Sequence, residues 1–424
     1  MLTAIVGINW GDEGKGRMVD LLSSRYDVVI RYQGGNNAGH TVINDRGEFV
    51  LNLLPSGILR ETTVNVMGNG MVIDLCHLFN ETKKLRDAGI KITPDNLKIS
   101  DKAIICMPYH KLLDELEEDR LGDAKFGSTR RGIAPVYSDK YMKKGIRMGD
   151  LFDGAALEEK VKNIVEWKNL TVRDGYKSEE LDYKKMLDWL KQYGDPFKDY
   201  VTDVGVYLNE AADSGKDIMF EAQLGALRDI DFGIYPYTSS SSTIAAYAPI
   251  GAGIPGRKLD EVIGIIKAYS TCVGEGPFTC EMFGDRANEL REAGHEYGAA
   301  TGRPRRVGGF DAVASRYGVL VQGATQLALT KLDVLGYLRE IHVCDAYEVD
   351  GKITKDFPVG EKLNRAKPVY KTFEGFNCDI SGMRKRSELP DTVLRYVDYI
   401  ENSVKCPVKY LSVGPKREQY IEMF

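Results

Sequence analysis

"LTAIVGINWGDEGKGR", residues 2–17, decides how the rest of the chain is read. "LTAIVGI" is a short apolar run rich in β-branched residues and closed by glycine, the pattern of a strand buried in a parallel sheet. After the glycine-rich loop, "RMVDLLSSR" sets Met18, Leu21 and Leu22 on one helical face, and "YDVVIRY" supplies the next strand. Strand, loop, helix, strand is the unit that puts phosphates at a helix N-terminus. The loop nearly spells G-x-x-x-x-G-K-[ST]. Gly14-Lys15 is present, but Asn9 takes the place of the first glycine and Gly16 that of the final hydroxyl residue. Asp12 and Glu13 fall inside the loop. A carboxylate beside a triphosphate repels it unless a metal or a chemical task justifies the placement.

Outward from this unit the chain keeps alternating. "QGGNNAGHTV" is a second glycine-rich loop leaving a strand end, and "TVINDRGEFVLNLL" reads as a hairpin around Asp45-Arg46-Gly47. Strands are expected in "TTVNVM", "KDIMFEAQLG", "EVIGIIKAYS", "LALTKLDVLG", "EIHVCDAYEV" and "VKYLSVGP". Helices are expected from Asp74 to about Ala88 and over 285–295, 309–323 and 389–404. Residues 155–214 are Lys- and Asp-rich with a helical pattern, a solvated helical insertion. The reading is one α/β domain over 1–424, with a large, doubly wound, mostly parallel central sheet, a P-loop-like nucleotide site and helical insertions.

Composition narrows the function classes. The chain has 424 residues and a net charge of -5, which gives no hint of a nucleic-acid or anionic-membrane surface. A small polyanion needs only a local basic pocket. Seven scattered cysteines form no C-x-x-C pair, and with only five histidines the chain points away from zinc and towards a reducing, cytoplasmic compartment. No apolar run approaches the ~20 residues that span a bilayer.

Three further signals carry chemistry. "TKLD", residues 330–333, follows an apolar strand. In guanine-nucleotide proteins such a loop lays a lysine stem along the purine, and its aspartate accepts from N1–H and the 2-amino group. Adenine lacks that pair of donors, so one carboxylate discriminates. "ATGRPRR", residues 300–306, sets Arg303, Arg305 and Arg306 around Pro304, a cluster suited to carboxylate and phosphate. His40 follows three glycines on the loop after the second strand, where α/β proteins place ligands.

With "WGDEGKGR", "RYQGGNNAGHT", "LLPSGILR", "STRRGIAPVYSDK", "MGDLFD", "DIDFGIYPYTSSSST", "VGEGPFTCE", "ATGRPRR", "TKLDVL" and "SVGP" in order from residue 10 to 415, the chain closely resembles the adenylosuccinate synthetase family. The resemblance implies a homodimeric ligase that joins IMP and L-aspartate at the expense of GTP, with one Mg²⁺ per subunit. It implies that Asp12 takes the N1 proton of IMP, that the γ-phosphoryl of GTP moves to O6, and that aspartate then displaces phosphate at C6. His40 is implied as the acid assisting phosphoryl transfer and Lys15 as the cation neutralising developing charge, with Gln223 beside them. Asp12 and the Gly39 carbonyl are implied for Mg²⁺.

Binding residues carry over in the same way. For GTP they are Gly11, Asp12, Glu13, Gly14, Lys15, Gly16 and Arg17, then Gly39, His40 and Thr41, with Arg305, and for the base Lys331, Leu332, Asp333, Ser412, Val413 and Gly414. IMP would meet the first loop from Asp12 to Lys15, the second at Asn37, Ala38, Gly39 and His40, and also Thr129, Gln223 and Arg303, with Thr238 or Ser239 at its phosphate. Lys143 would reach IMP from the neighbouring subunit. Ala299, Ala300, Thr301, Gly302, Arg303, Pro304 and Arg305 would hold aspartate.

Three departures stand out. "FEAQLG" replaces the family's F-E-G-A-Q-G, moving the glutamine to Gln223 from the slot of Leu224. Lys143 replaces an arginine, and "YTSSSST" leaves Thr238 and Ser239 as alternatives. A guanine-nucleotide switch would share the first loop and "TKLD", but would need neither the second loop with His40 nor the arginine cluster.

Overall fold

The computed structural model describes residues 1–44, 47–298, 302 and 304–424. Its frame is a ten-stranded sheet of β1 (Leu2–Gly7), β2 (Val28–Arg31), β3 (Val64–Met67), β4 (Leu97–Ser100), β5 (Val201–Thr202), β6 (Ile218–Gly225), β7 (Glu261–Lys267), β8 (Gln326–Thr330), β9 (Val408–Ser412) and β10 (Tyr420–Glu422). The spatial order is β10-β9-β8-β7-β1-β6-β2-β3-β4-β5. Every neighbouring pair is parallel except β9 with β10.

β1 lies at the centre because it has no polar face to expose. Ala4 and Val6 pack with Val28, Ile30 and Phe220 on one side. Ile5 packs with Val29, Met219, Ile263 and the helical Met18, Val19 and Leu22 on the other. Strand period two thus feeds two cores, the signature of a sheet covered on both faces. The loops that follow β1, β2, β6, β7, β8 and β9 all leave carboxyl ends of parallel strands. They therefore gather along one rim, where doubly wound sheets bind ligands.

The β1–β6 register is irregular: Ile5 pairs with Glu221, but Gly7 pairs with Gly225. Two steps along β1 match four along β6, so residues 222–224 bow outwards, with Leu224 at φ 65°. Gly7 must be glycine there, because a Cβ would sit 2.4 Å from the Leu224 carbonyl oxygen.

Two segments are placed by packing rather than by local pattern. "EIHVCDAYEV" is a strand (Glu340–Val349), but it belongs to a separate four-stranded sheet with Phe310–Asp311, Lys352–Thr354 and Lys367–Glu374. Within 155–214, helices span Gly154–Asn169, Tyr183–Gly194 and Val204–Asp213. Their apolar sides enter the core: Val161, Ile164, Val165 and Leu190 are buried with Leu75, Leu78 and Ile105. The intervening Val201–Thr202 is the edge strand beyond β4. The hairpin pairs His40–Asn44 with Gly47–Leu51, and its turn residues Asp45 and Arg46 lie outside the described residues.

Candidate active site

The first loop is wound by left-handed backbone at Gly11 (φ 99°), Asp12 (φ 60°) and Gly14 (φ 91°). Its two carboxylates part company. Glu13 is buried and accepts from the Asn9 and Gly11 amides at 3.0 and 2.8 Å. Its other oxygen pairs with Lys15 Nζ at 2.6 Å. Asp12 is exposed, and its Oδ2 lies 3.2 Å from Arg305 Nε. The Thr330 hydroxyl donates to the Glu13 carbonyl at 2.6 Å, which ties this loop to the end of β8. The helix Lys15–Leu22 begins at once. A Cβ on Gly16 would stand 2.9 Å from His40 Cβ, which explains why no Ser or Thr follows Lys15.

His40 is buried against the rim. Its Nδ1 lies 2.5 Å from Glu221 Oε1, and the Ser56 amide and hydroxyl each donate to that carboxylate at 2.8 Å. Burial alone would raise Glu221, but the His40 bond and the Arg31 charge hold it below the usual carboxylate range. Burial drives His40 below its ordinary value, against the pull of Glu221. The pair is thus a carboxylate accepting from a neutral imidazole, whose Nε2 has no hydrogen bond among the described residues. Gln223, fully buried on the bulge, donates to the Gly35 and Ala38 carbonyls at 2.9 and 3.2 Å. Its Oε1 has no partner among the described residues, an acceptor whose desolvation a ligand donor would offset.

Beyond Asp12 runs a charge relay into the core. Arg305 Nη1 donates to Glu296 Oε2 at 2.7 Å, and Glu296 Oε1 takes Lys267 Nζ at 2.9 Å and the Tyr269 hydroxyl. Burial would raise Glu296, yet Lys267, Tyr269, Lys331 and Arg305 bring it down to about 2. On the other side, Arg17 donates to the Ser412 hydroxyl and to the Lys416 carbonyl. Asp333, half-buried, is raised by burial against the charges of Lys331 and Arg17. Lys331 (φ 61°) donates to the Gly294 carbonyl at 2.8 Å. Leu332 and Val413 are buried beneath this end, and a Cβ on Gly414 would meet Gln419 at 2.5 Å.

The remaining expected residues are more scattered. Asn37 accepts from the Gly35 amide at 3.3 Å, and the Ala38 carbonyl takes Asn52 Nδ2 at 3.1 Å. Gly39 is exposed and Thr41 half-buried. Ser239 Oγ lies 3.1 Å from Ser241 Oγ, whose own proton goes to Gln33; Thr238 is half-buried beside it. Thr129 and Lys143 are exposed, and the Lys143 ammonium has no hydrogen bond or ion pair among the described residues. Gly302 and Pro304 are exposed, whereas Ala299, Ala300, Thr301 and Arg303 lie outside the described residues.

Sequence reading passed over Glu221, Glu296 and Lys267. A signal existed for two of them: "MFEAQ" and "IIKAYS" each put one charge inside an apolar strand, and a buried charge requires a partner. Glu296 carried none, because it sits in a polar stretch.

For a divalent cation the fit is partial by design. Among the described residues no three His, Cys, Asp or Glu side chains cluster as a metal cage. Mg²⁺ does not need one: it takes one or two carboxylates and completes its shell with water and phosphates. The exposed Asp12 carboxylate suits that donor set.

A family model described as adenylosuccinate synthetase matches residues 4–421. The chain belongs to the adenylosuccinate synthetase family. It is 46% identical to the adenylosuccinate synthetase of Caldanaerobacter subterraneus subsp. tengcongensis over 421 residues, covering 99% of this chain and 98% of that one. It is also 46% identical to that of Halothermothrix orenii over 418 residues, covering 98% and 97%. The fully ligated Plasmodium falciparum adenylosuccinate synthetase superposes with a TM-score of 0.91 at 37% identity, covering 100% and 99% of the two chains. A cyanophage S-2L succinoaminodeoxyadenylate synthetase, at 17% identity and TM-score 0.60 over 100% and 95%, shares the fold. The chain is accordingly a GTP-dependent ligase of purine biosynthesis that joins IMP and aspartate, uses Mg²⁺ and belongs to a dimeric family. The switch-GTPase alternative is not favoured. No helix among the described residues is long and apolar enough to cross a membrane.

Proposed function

We propose that the two adjacent carboxylates of the first loop divide the work, with Asp12 as the base toward N1 of IMP and Glu13 as the internal brace. The observation that carries this reading is their contrast. Glu13 is buried on three donors, whereas Asp12 is turned out at φ 60°, with Arg305 its one ion-pair partner among the described residues. A base must reach the proton it takes, and a group already satisfied by loop amides cannot. As N1 loses its proton, negative charge builds on O6, which attacks the γ-phosphoryl of GTP to give 6-phosphoryl-IMP. The aspartate amine then displaces phosphate at C6.

His40 would protonate as the phosphates approach, because their charge reverses the effect of burial, and Glu221 fixes its Nδ1 as the donor. Lys15 would neutralise charge leaving on the β–γ bridge. Asp12 and the Gly39 carbonyl would hold Mg²⁺, which supplies charge neutralisation at the phosphates. Asp333 and Lys331 would select guanine. Arg305, spanning Asp12 and Glu296, would bind the aspartate substrate together with the neighbouring loop. Gln223 would meet IMP through its Oε1, and Thr238 or Ser239 would meet the phosphate. We read the chain as one domain, since Val201–Thr202 extends the central sheet, and as cytoplasmic, in keeping with seven free cysteines.

The test is twofold. Phosphate release from GTP should require both IMP and aspartate in the native protein. Asp12→Asn should abolish synthesis while IMP and GTP still bind by calorimetry; near-normal turnover would remove Asp12 as the base.

A further inference from the structure

Arg228 lies one turn beyond β6, at the end of the short helical turn Ala226–Arg228, and is buried. It grips the following segment by both ends. Its carbonyl accepts from the Ser239 amide at 2.8 Å, and its Nη1 donates to the Tyr237 carbonyl. The rest of the guanidinium reaches the loop after Thr271: Nη2 donates to the Val273 carbonyl at 2.5 Å and to Cys272 Sγ at 3.2 Å. That loop in turn abuts the segment before Thr129, since a Cβ on Gly127 would lie 3.5 Å from Glu275 Cγ. One side chain therefore joins the Tyr237–Ser239 segment to a loop that the Thr129 loop touches.

Its charge is as telling as its contacts. Nearby Arg306 is matched by Glu281 at 2.5 Å. Arg228 has no carboxylate within ion-pairing distance among the described residues; every partner it holds is a carbonyl or a thiol. Burial pushes the Cys272 thiol up, so it stays neutral and offers no counter-charge. A buried cation held only by dipoles is costly, and an incoming anion offsets that cost. The Tyr237–Ser239 segment it grips is the one proposed above to meet the IMP phosphate.

We propose that Arg228 is a positioning residue of the IMP-phosphate pocket, which sets the Thr238–Ser239 segment in place and supplies unpaired positive charge beneath it. This rests on the assignment of that segment to the phosphate. The charge and the hydrogen bonds can be separated. Arg228→Gln keeps amide donors and removes the charge, whereas Arg228→Lys keeps the charge with a single branch. Measured against folded controls, Arg228→Gln should raise the KM for IMP at least tenfold and Arg228→Lys only a few-fold, with the KM for GTP within twofold in both. Binding of inosine, which lacks the phosphate, should be unchanged. If IMP affinity is unaltered in both variants, or if inosine and GTP weaken as much as IMP, Arg228 does not serve the phosphate. Should Arg228→Gln not fold, the lysine variant decides: a few-fold loss confined to IMP supports the role, and no loss or a uniform loss overturns it. Failure of the wild-type protein to couple GTP hydrolysis to IMP and aspartate would instead refute the underlying site assignment.

Discussion

His40 Cβ stands 2.9 Å from the point where a side chain on Gly16 would begin. The second glycine-rich loop thus occupies the space in which an ordinary P-loop keeps its hydroxyl residue. Restoring that residue should therefore do harm. Gly16→Ser is expected to destabilise the protein by about 1–3 kcal/mol, the usual cost of overpacking a tight site. It should also cut kcat/KM severely by displacing His40. A thermal unfolding midpoint and turnover equal to the parent would show that the loop yields freely.

Asp333 is half-buried near Lys331 and Arg17, and burial raises its carboxyl. Asp333→Asn should weaken GTP by roughly ten- to a hundredfold, since charge-assisted hydrogen bonds contribute about 1.5–3 kcal/mol. Discrimination against xanthine nucleotides should relax, because the amide N–H₂ can pair with the 2-oxo group of xanthine. Competition between GTP and XTP measures this, and unchanged selectivity would refute guanine recognition by Asp333.

Three histidines, His40, His77 and His110, are held below their ordinary value of 6.5, chiefly by burial. The folded state resists protons that the unfolded chain accepts, so stability is full above that value and falls as pH drops through it. The ligand-free protein should show a lower thermal midpoint at pH 5.5 than at pH 7.5. A midpoint flat across that interval would mean that these imidazoles take up protons without cost.

Lys143 (φ 62°) follows the helix Ile133–Tyr141, next to the exposed Tyr141 and Met142. Two large apolar side chains preceding an ammonium without a partner among the described residues fit a surface that a second subunit covers. Lys143→Leu should raise the KM for IMP by about tenfold or more, on the scale of one lost charged phosphate contact, and that for GTP by less. Mixed with Asp12→Asn protein, it should form heterodimers in which one site carries neither lesion and regains activity. No complementation despite verified subunit exchange would confine Lys143 to its own subunit.

The chain's own pattern determined the frame and the identity of the chemistry. Short apolar, β-branched runs bounded by turn residues fit strands buried on both faces, so β1, β2, β6, β7 and β9 were legible where they fall. The run expected over residues 327–336 is a strand only as far as Thr330 and turns helical from Asp333. Loops of fixed spelling, "GDEGKGR" and "TKLD", carry their function in backbone geometry and in the two hydrogen-bonding edges of one base, both local properties. What pattern could not decide depended on residues far apart in the chain. Which of Asp12 and Glu13 faces out is settled by the loop amides and Lys15 that capture Glu13. The identity of residue 16 is settled by His40, and the partner of His40 by Glu221 on a strand nearly two hundred positions away. The placing of "EIHVCDAYEV" in a second sheet, and of Val201–Thr202 at the edge of the first, follows from packing partners that no local period encodes. Periodicity tells a segment that it must bury a face; only the assembled fold supplies the surface, or the counter-charge, that it is buried against.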